Sequence, residues 1–256
     1  MTLSIIVIEY KSLDDIKLFQ EQVKQSVKGI DYELIVSSNS QYNIYLQETI
    51  KQQYPDIIWV FNEKNGGFAY GMNRGLELAT GDYLMIANPD LKIKTGLAEA
   101  ILFLHKQPFV GAVGPLIKDE KGGQQDSARS YLTLNSWVKR NTKRILGKEE
   151  IYDYSKIRTV DWLIGACILM TREAYKQTRG LDEHYFLYGE DLDLCTRIRA
   201  AGLEVVHYPE MEVEYKGTRS ARHSWKYACI FMQSLWYYWR KFGFFYGQPK
   251  RKEIVF

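Results

Sequence analysis

Cysteine is scarce in this chain. Its three, Cys167, Cys195 and Cys229, are widely spaced and form no CxxC pair. That pattern excludes a disulfide framework and a paired-cysteine zinc site, and it points to a reducing, cytoplasmic setting. Proline is equally sparse at six, and the nineteen glycines follow no fixed period, which excludes collagen-like and low-complexity chains. No stretch reaches the ~18 consecutive apolar residues of a bilayer-spanning helix. The opening MTLSIIVIEYKS has no basic lead-in and runs straight into a strand-like segment, so it does not read as a signal peptide. A net charge of only +3 provides no overall basic surface for nucleic acid.

What is present is a globular balance. The chain is 46% hydrophobic and 14% aromatic over 256 residues, enough to build a large core and to exclude intrinsic disorder. The charge is uneven. Residues 216–256 hold nine Lys or Arg against one acid, Glu253, together with 12 of the 36 aromatics, while the preceding 215 residues are net acidic by five.

Leu3–Ile8 is a continuous Ile/Val-rich run without alternation, as in a strand buried on both faces of a parallel sheet. Ser12 then reads as a helix N-cap, Asp14 and Asp15 as its acidic first turn, Ile16, Phe19, Val23 and Val27 as its buried face, and Gly29 as its end. The pattern repeats: strand at Glu33–Val36, helix at Ile44–Gln53, strand at Ile57–Phe61, helix around Tyr70–Ala79, strand at Tyr83–Ala87. Alternating strands and helices predict βαβ units, a mainly parallel α/β sheet, and ligands at the carboxyl ends of the strands. Further strands are expected at Val110–Pro115, Ala166–Thr171 and Leu203–Tyr208, a long polar loop with a short helix over Gly122–Glu150, and an amphipathic helix over Ser224–Lys241.

Four constellations could carry chemistry. Asn88-Pro89-Asp90 follows a buried strand, where a carboxylate can bind Mg²⁺ or Mn²⁺ or simply form a turn. Asn65-Gly66-Gly67 through Asn73-Arg74-Gly75 can cradle phosphate at a helix start or be an empty glycine turn; it is neither a Walker loop nor GxGxxG. Glu190, Asp191 and Asp193 open a helix after His184, Tyr185, Phe186 and Tyr188, where an acid can serve the helix dipole or act as a general base. Trp162–Thr171 places Gly165-Ala166 where a substrate can approach the backbone or where packing is tight.

Together and in order, these segments resemble the inverting family 2 glycosyltransferases of the GT-A fold, nearest the bacterial rhamnosyltransferase-like proteins, over roughly residues 3–242. The residues that carry the resemblance are Tyr10 after the first strand, Asn65-x-Gly67-Phe68-Ala69-x-Gly71-x-Asn73-x-Gly75, Asn88-Pro89-Asp90, Gly165-Ala166, and Phe186-Leu187-Tyr188-Gly189-Glu190-Asp191-x-Asp193-Leu194-Cys195-x-Arg197.

The resemblance implies transfer of a sugar from a nucleotide-diphosphate donor, a deoxyhexose such as rhamnose from its dTDP donor, to a glycan or polyprenyl-linked acceptor. Asp191 would be the base, with Glu190 and Asp193 supporting it. Tyr10, Ser38, Asn39, Asn65, Gly67, Asn73, Asn88 and Asp90 would line the donor side, and Trp162, Gly165, Ala166, Tyr188 and Asp193 the acceptor side. Asp90 would hold Mg²⁺ or Mn²⁺, with Glu214 as a second candidate ligand.

Two departures stand out. Ser38 occupies the place where the family's second strand ends in a base-binding Asp, and a hydroxyl bonds an imide edge less strongly than an ion does. Glu214, near Gly217-Thr218-Arg219-Ser220, stands where the family tends to have a His.

The implied organisation is a 1–222 GT-A domain, with a nucleotide-sugar half to about 115 and an acceptor half beyond it, followed by a basic aromatic helix and tail over 223–256. That helix, at 223–245, suits an anionic membrane surface, a second copy, or packing on the domain. The competing classes are a non-catalytic partner-binding subunit and a sugar nucleotidyltransferase; the latter's glycine-rich, basic signature after the first strand is missing.

Overall fold

The computed structural model describes residues 1–129, 131, 133–145, 153–217 and 225–244. The segment 218–220, Ser224 as the first residue of the last helix, and the basic tail from 245 lie outside the described residues.

The first third is built as the apolar runs dictate. Strands β1 (Thr2–Glu9), β2 (Asp31–Ser38), β3 (Ile57–Phe61) and β4 (Tyr83–Ala87) alternate with helices α1 (Leu13–Ser26), α2 (Ile44–Gln53) and α3 (Phe68–Leu78). All four strands are parallel: β1 pairs with β2 and β4, and β3 with β2. Along β1, Leu3, Ile5 and Val7 face one core and Ile6 the other, so both faces are dry. Because β2 and β3 lie to one side of β1 and β4 to the other, the strand order reverses between β1 and β4, and the carboxyl ends of these strands are where such sheets form their ligand crevice.

The rest of the chain completes a mixed sheet. Its elements are β5 (Leu91–Thr95), α4 (Leu97–Lys106), β6 (Val110–Lys118), β7 (Ala128–Arg129), α5 (Leu134–Ile145), β8 (Arg158–Thr159), β9 (Trp162–Leu163), β10 (Cys167–Thr171), α6 (Arg172–Thr178), α7 (Glu190–Ala200), β11 (Glu204–Tyr215) and α8 (Trp225–Phe242). The order across the sheet is β3-β2-β1-β4-β10-β6-β11-β5, with β10 antiparallel to both neighbours and β7–β9 a separate ribbon. Helices α1 and α4 cover one face; α3, α6, α7 and α8 cover the other.

Several local expectations are corrected. Ser12 does not cap α1 through its side chain; its backbone N–H donates to Glu9 Oε1 at 2.8 Å. Strand β5 and helices α4 and α6 add to the predicted elements. In β5, Leu91 and Ile93 face the core while Lys92 and Lys94 face water, the alternation of an edge strand. Strand β11 runs to Tyr215, past the predicted Tyr208, through an irregularity between Tyr208 and Glu212. The helix expected within 122–150 is α5, twelve residues long.

The terminal helix α8 packs on the domain along one face. Ser234, Leu235, Tyr238 and Trp239 are buried, while Trp225, Met232 and Trp236 are exposed. The glycines of α3 explain how that helix sits on β1. A Cβ at Gly71 would lie 2.9 Å from Ile8 Cδ1, and one at Gly75 would lie 2.5 Å from Ile6 Cγ2. Their spacing of four residues puts both on one helix face, so the motif's first task is close helix–sheet packing.

Gly75→Ala tests this. In an open helix the change gains about 1 kcal/mol; here the Cβ collides with a buried strand residue, so a net loss of about 1–3 kcal/mol is expected in urea or thermal unfolding.

Candidate active site

The crevice is organised by a carboxylate. Glu9, the last residue of β1, is fully buried, and its oxygens accept from Ser12 N (2.8 Å), Ser38 Oγ (2.5 Å), Ser40 Oγ (3.0 Å) and Tyr42 Oη (3.0 Å). Glu9 and Ser38 are register partners on β1 and β2. Ser38 therefore does not offer its proton to a ligand as expected: at 1% exposure its hydroxyl is spent on Glu9, and the carboxylate at this strand edge comes from β1. Tyr10, the next residue, is half exposed at the lip.

A chain of amides builds the floor. Asn39, buried, donates to Gly67 O at 3.0 Å and accepts from Asn62, which also donates to Ser37. Asn65 Oδ1 accepts the Gly67 N–H at 3.1 Å, closing the loop before α3. Asn39 and Asn65 thus shape the crevice through the glycine loop. Asn73 is corrected from the donor side: its side chain exchanges two hydrogen bonds with the Leu181 backbone, at 2.8 and 2.9 Å, and donates to Glu183 at 2.9 Å. It clips α3 to the segment leading into α7.

Gly67 makes the second clip. Its φ is +92°, and a Cβ there would lie 2.2 Å from the Phe186 carbonyl oxygen. Only glycine permits that approach. The adjacent Phe68 N–H donates to the same oxygen at 2.8 Å, so an expected phosphate-facing N–H is instead part of the junction between the two halves.

At the end of β4, Asn88 donates from its side chain to Tyr215 Oη at 2.9 Å and from its backbone to Ala166 O at 3.0 Å. Burial raises the Asp90 pKa; the Asp15 charge adds to this and Lys216 opposes it. Burial, then the Asp90 charge, push Tyr215 up to about 12. Glu214 is corrected as a metal ligand. Its two oxygens are held by Lys92 and Lys94 at 2.7 and 2.8 Å, and those ammonium groups lower its pKa. Among the described residues no three His, Cys, Asp or Glu side chains form a ready-made metal cluster. Asp90 has the chemistry of a hard-cation ligand: Mg²⁺ and Mn²⁺ bind through one or two carboxylates plus substrate phosphates, and a half-buried carboxylate repelled by Asp15 is stabilised by positive charge.

Asp191 stands on the other wall, in the first turn of α7. Tyr188 and Gly189, with φ of +70° and +90°, turn the chain sharply into that helix; a non-glycine residue in this region stores strain, as functional turns do. The carboxylate accepts Gly165 N at 2.8 Å and Leu192 N at 2.8 Å. The fit at Gly165 is tight, since a Cβ there would lie 3.2 Å from Asp191 Cβ. Because Ala166 binds Asn88 and Gly165 binds Asp191, two successive residues tether the Asp90 turn to the Asp191 wall. Burial raises the Asp191 pKa, against the pull of these N–H groups, Trp162 and Arg129. Glu190, 5% exposed, is raised well above the carboxylate range by burial and then by Asp191's charge; its Oε2 has no hydrogen-bond partner among the described residues.

Asp193 is corrected from the acceptor side. It is fully buried, paired with Arg197 and with Lys241 of α8 at 2.6 Å, and so braces α7 against α8. Tyr188 packs edge-on against Phe231 of α8, 6.2 Å between centroids. Three contributors escaped the sequence reading. Glu9 and Tyr215 reach the site only through strand pairing and the extension of β11. Arg129 stacks on Trp162 at 4.8 Å, and nothing local in the sequence marks it.

A mostly parallel sheet whose strand order reverses between β1 and β4, covered by helices on both faces, defines the class: a GT-A-type α/β fold. Solved structures agree on the fold. The chain superposes with a TM-score of 0.62 on a GalNAc-T7 structure with UDP, GalNAc and Mn²⁺, at 15% identity, covering 84% of this chain and 44% of that one. For a Pyrobaculum calidifontis mannosyltransferase with GDP-Man and Mn²⁺ the values are 0.60, 18%, 88% and 59%.

The chain belongs to the glycosyltransferase-like family 2, whose sequence model matches residues 3–230. It is 33% identical over 183 residues to the N-acetylglucosaminyl-diphospho-decaprenol L-rhamnosyltransferase of Mycobacterium tuberculosis, covering 63% of this chain and 59% of that relative's length. It is 26% identical over 220 residues to the rhamnosyltransferase WbbL of Escherichia coli K12, covering 80% of each.

The buried Glu190 generates a stability prediction. A carboxyl whose folded pKa is raised favours folding most when protonated and loses that contribution as pH rises from its unfolded value, about 4.3, toward the folded one. Glu190→Gln cannot ionise, so its melting temperature relative to the parent should climb between pH 5 and pH 8. Differential scanning fluorimetry across that range checks it; a difference that stays flat or falls contradicts the burial of a costly charge.

Proposed function

We propose that this chain is an inverting glycosyltransferase that moves a sugar, L-rhamnose from dTDP-rhamnose, onto a hydroxyl of a glycan or polyprenyl-linked acceptor during bacterial cell-surface glycan synthesis. The observation that carries the reading is Asp191: a buried carboxylate with a raised pKa, aimed by two backbone N–H groups and tethered to the Asp90 turn. The rhamnosyl and lipid-linked specifics rest on what the M. tuberculosis and E. coli relatives are named for.

In this reading Asp191 accepts the acceptor's hydroxyl proton. The freed oxygen bonds to the anomeric carbon from the face opposite the leaving group, and the anomeric C–O bond breaks with its electron pair going to the nucleotide diphosphate. One displacement inverts the centre. Asp191 works best with a pKa drawn toward the working pH, which burial provides. Glu190 keeps a second acid beside it. Tyr10 offers a flat apolar face for the nucleobase, and Glu9 with Ser38 holds the strand ends beneath it. Asn88, Asn65, Asn39 and Gly67 shape the donor crevice; Trp162, Gly165, Ala166 and Tyr188 shape the acceptor side. Asp90 would hold Mg²⁺ or Mn²⁺, which when bound offsets negative charge on the diphosphate.

Asp191→Asn should lower transfer about 10²–10⁴-fold while leaving dTDP binding intact. The parent kcat/KM should fall on the acid side with a midpoint above the ordinary carboxylate range. Full activity in Asp191→Asn, measured as nucleoside diphosphate release, would overturn the assignment.

The exposed face of α8, with Trp225, Met232 and Trp236, suits the surface of an anionic membrane bearing such an acceptor. No helix of the described residues is long and apolar enough to cross one. Trp225→Ser with Trp236→Ser should reduce sedimentation with vesicles rich in anionic phospholipid and leave water-soluble donor turnover unchanged.

A further inference from the structure

A buried hydrogen-bond donor stands idle beside Asp191. Trp162 is 6% exposed, and its indole Nε1 has no hydrogen-bond partner among the described residues. The nitrogen lies close enough to pull on the Asp191 carboxylate but does not meet hydrogen-bond geometry with it. Asp191 does not depend on it for orientation, since Gly165 N and Leu192 N already take one interaction on each oxygen. Buried donors are almost always paired, so an idle one marks strain or an absent partner.

The ring is held in place. Trp162 and Arg129 are register partners on β9 and β7, the Arg129 guanidinium lies 4.8 Å from the ring centroid, and Asp126 anchors Arg129 through Nε at 2.6 Å. A clamped ring aims its N–H in a fixed direction at little further ordering cost.

We propose that the Trp162 indole N–H and the Asp191 carboxylate form a two-point receptor for the acceptor's reacting hydroxyl. The hydroxyl oxygen accepts from Trp162 Nε1 while its proton points at Asp191, so the group is turned with its proton toward the base and a lone pair toward the donor crevice. A neutral hydroxyl satisfies both points; an ammonium group has no lone pair for the indole and is rejected. The pairing selects alcohol acceptors and deepens the glycosyltransferase reading, on which it rests.

Trp162→Phe removes the N–H and keeps a ring under Arg129. With dTDP-rhamnose and a short-chain N-acetylglucosaminyl diphosphate lipid, kcat/KM for the acceptor should fall about ten-fold, the worth of one hydrogen bond to a reacting group. The dTDP affinity should stay within about two-fold, inside the spread of one unmade neutral contact. The acid limb of the profile should move up, because a group that lowered the Asp191 pKa is gone. A core-packing role alone would lower the melting temperature and leave the acid limb in place.

A second measurement does not depend on that variant folding. In ¹⁵N-tryptophan-labelled protein, the Trp162 indole resonance, assigned by elimination against the other five tryptophans, should move downfield when the acceptor lipid is added with dTDP. An unmoved resonance, or Trp162→Phe with parental acceptor kinetics and pH profile, overturns the receptor. If Asp191→Asn is inactive in either case, only this inference falls; if Asp191→Asn transfers sugar normally, the glycosyltransferase assignment of Asp191 falls with it.

Discussion

The Phe68 N–H on the Phe186 carbonyl is one hydrogen bond, and the rest of the site is arranged around it. It exists because Gly67 has no side chain and adopts a positive φ, so two backbones from distant parts of the chain come into direct contact. One side of the contact belongs to the loop before α3 and its amide floor. The other belongs to the segment that turns through Tyr188 and Gly189 into α7. Asn73, exchanging hydrogen bonds with Leu181, doubles the tie. Beyond this junction, Gly165 and Ala166 tie the Asp191 wall to the Asp90 turn on the facing one.

The acids around the cleft are held in two ways, some by neutral donors and some by paired cations. Asp191 and Glu9 accept from backbone amides and hydroxyls. Asp193 pairs with Arg197 and Lys241, and Glu214 with Lys92 and Lys94. A full counter-charge would hold a carboxylate firmly ionised and weak as a base. Backbone N–H groups orient the carboxylate and leave its affinity for a proton to be set by burial. The first turn of α7 contributes its dipole to the same end, tempering the cost of burying two adjacent acids.

Much of this was legible from local pattern. The unbroken apolar strands and their intervening helices predicted the mostly parallel sheet. Other assignments failed for a shared reason. Asn73 follows a glycine motif, Ser38 ends a strand, and Glu214 sits late in the chain; each looks available when read alone. In the fold each has been claimed: Asn73 by a loop over a hundred residues away, Ser38 by its register partner, Glu214 by two lysines on an edge strand. A polar residue's role depends on whether another group reaches it first.

The sequence by itself determined what periodicity can encode: buried strands, amphipathic helices, the glycine face of α3 and the acid-rich start of α7. These depend on residues a few positions apart, and hydrophobic burial acts on them wherever the segment docks. Only the tertiary structure decided which carboxylate holds the crevice, which acid is free to take a proton, and that Trp162 is left with an unused donor under Arg129. Those outcomes depend on strand register and on close backbone contacts between remote segments, where a shift of one residue turns a side chain to the opposite face.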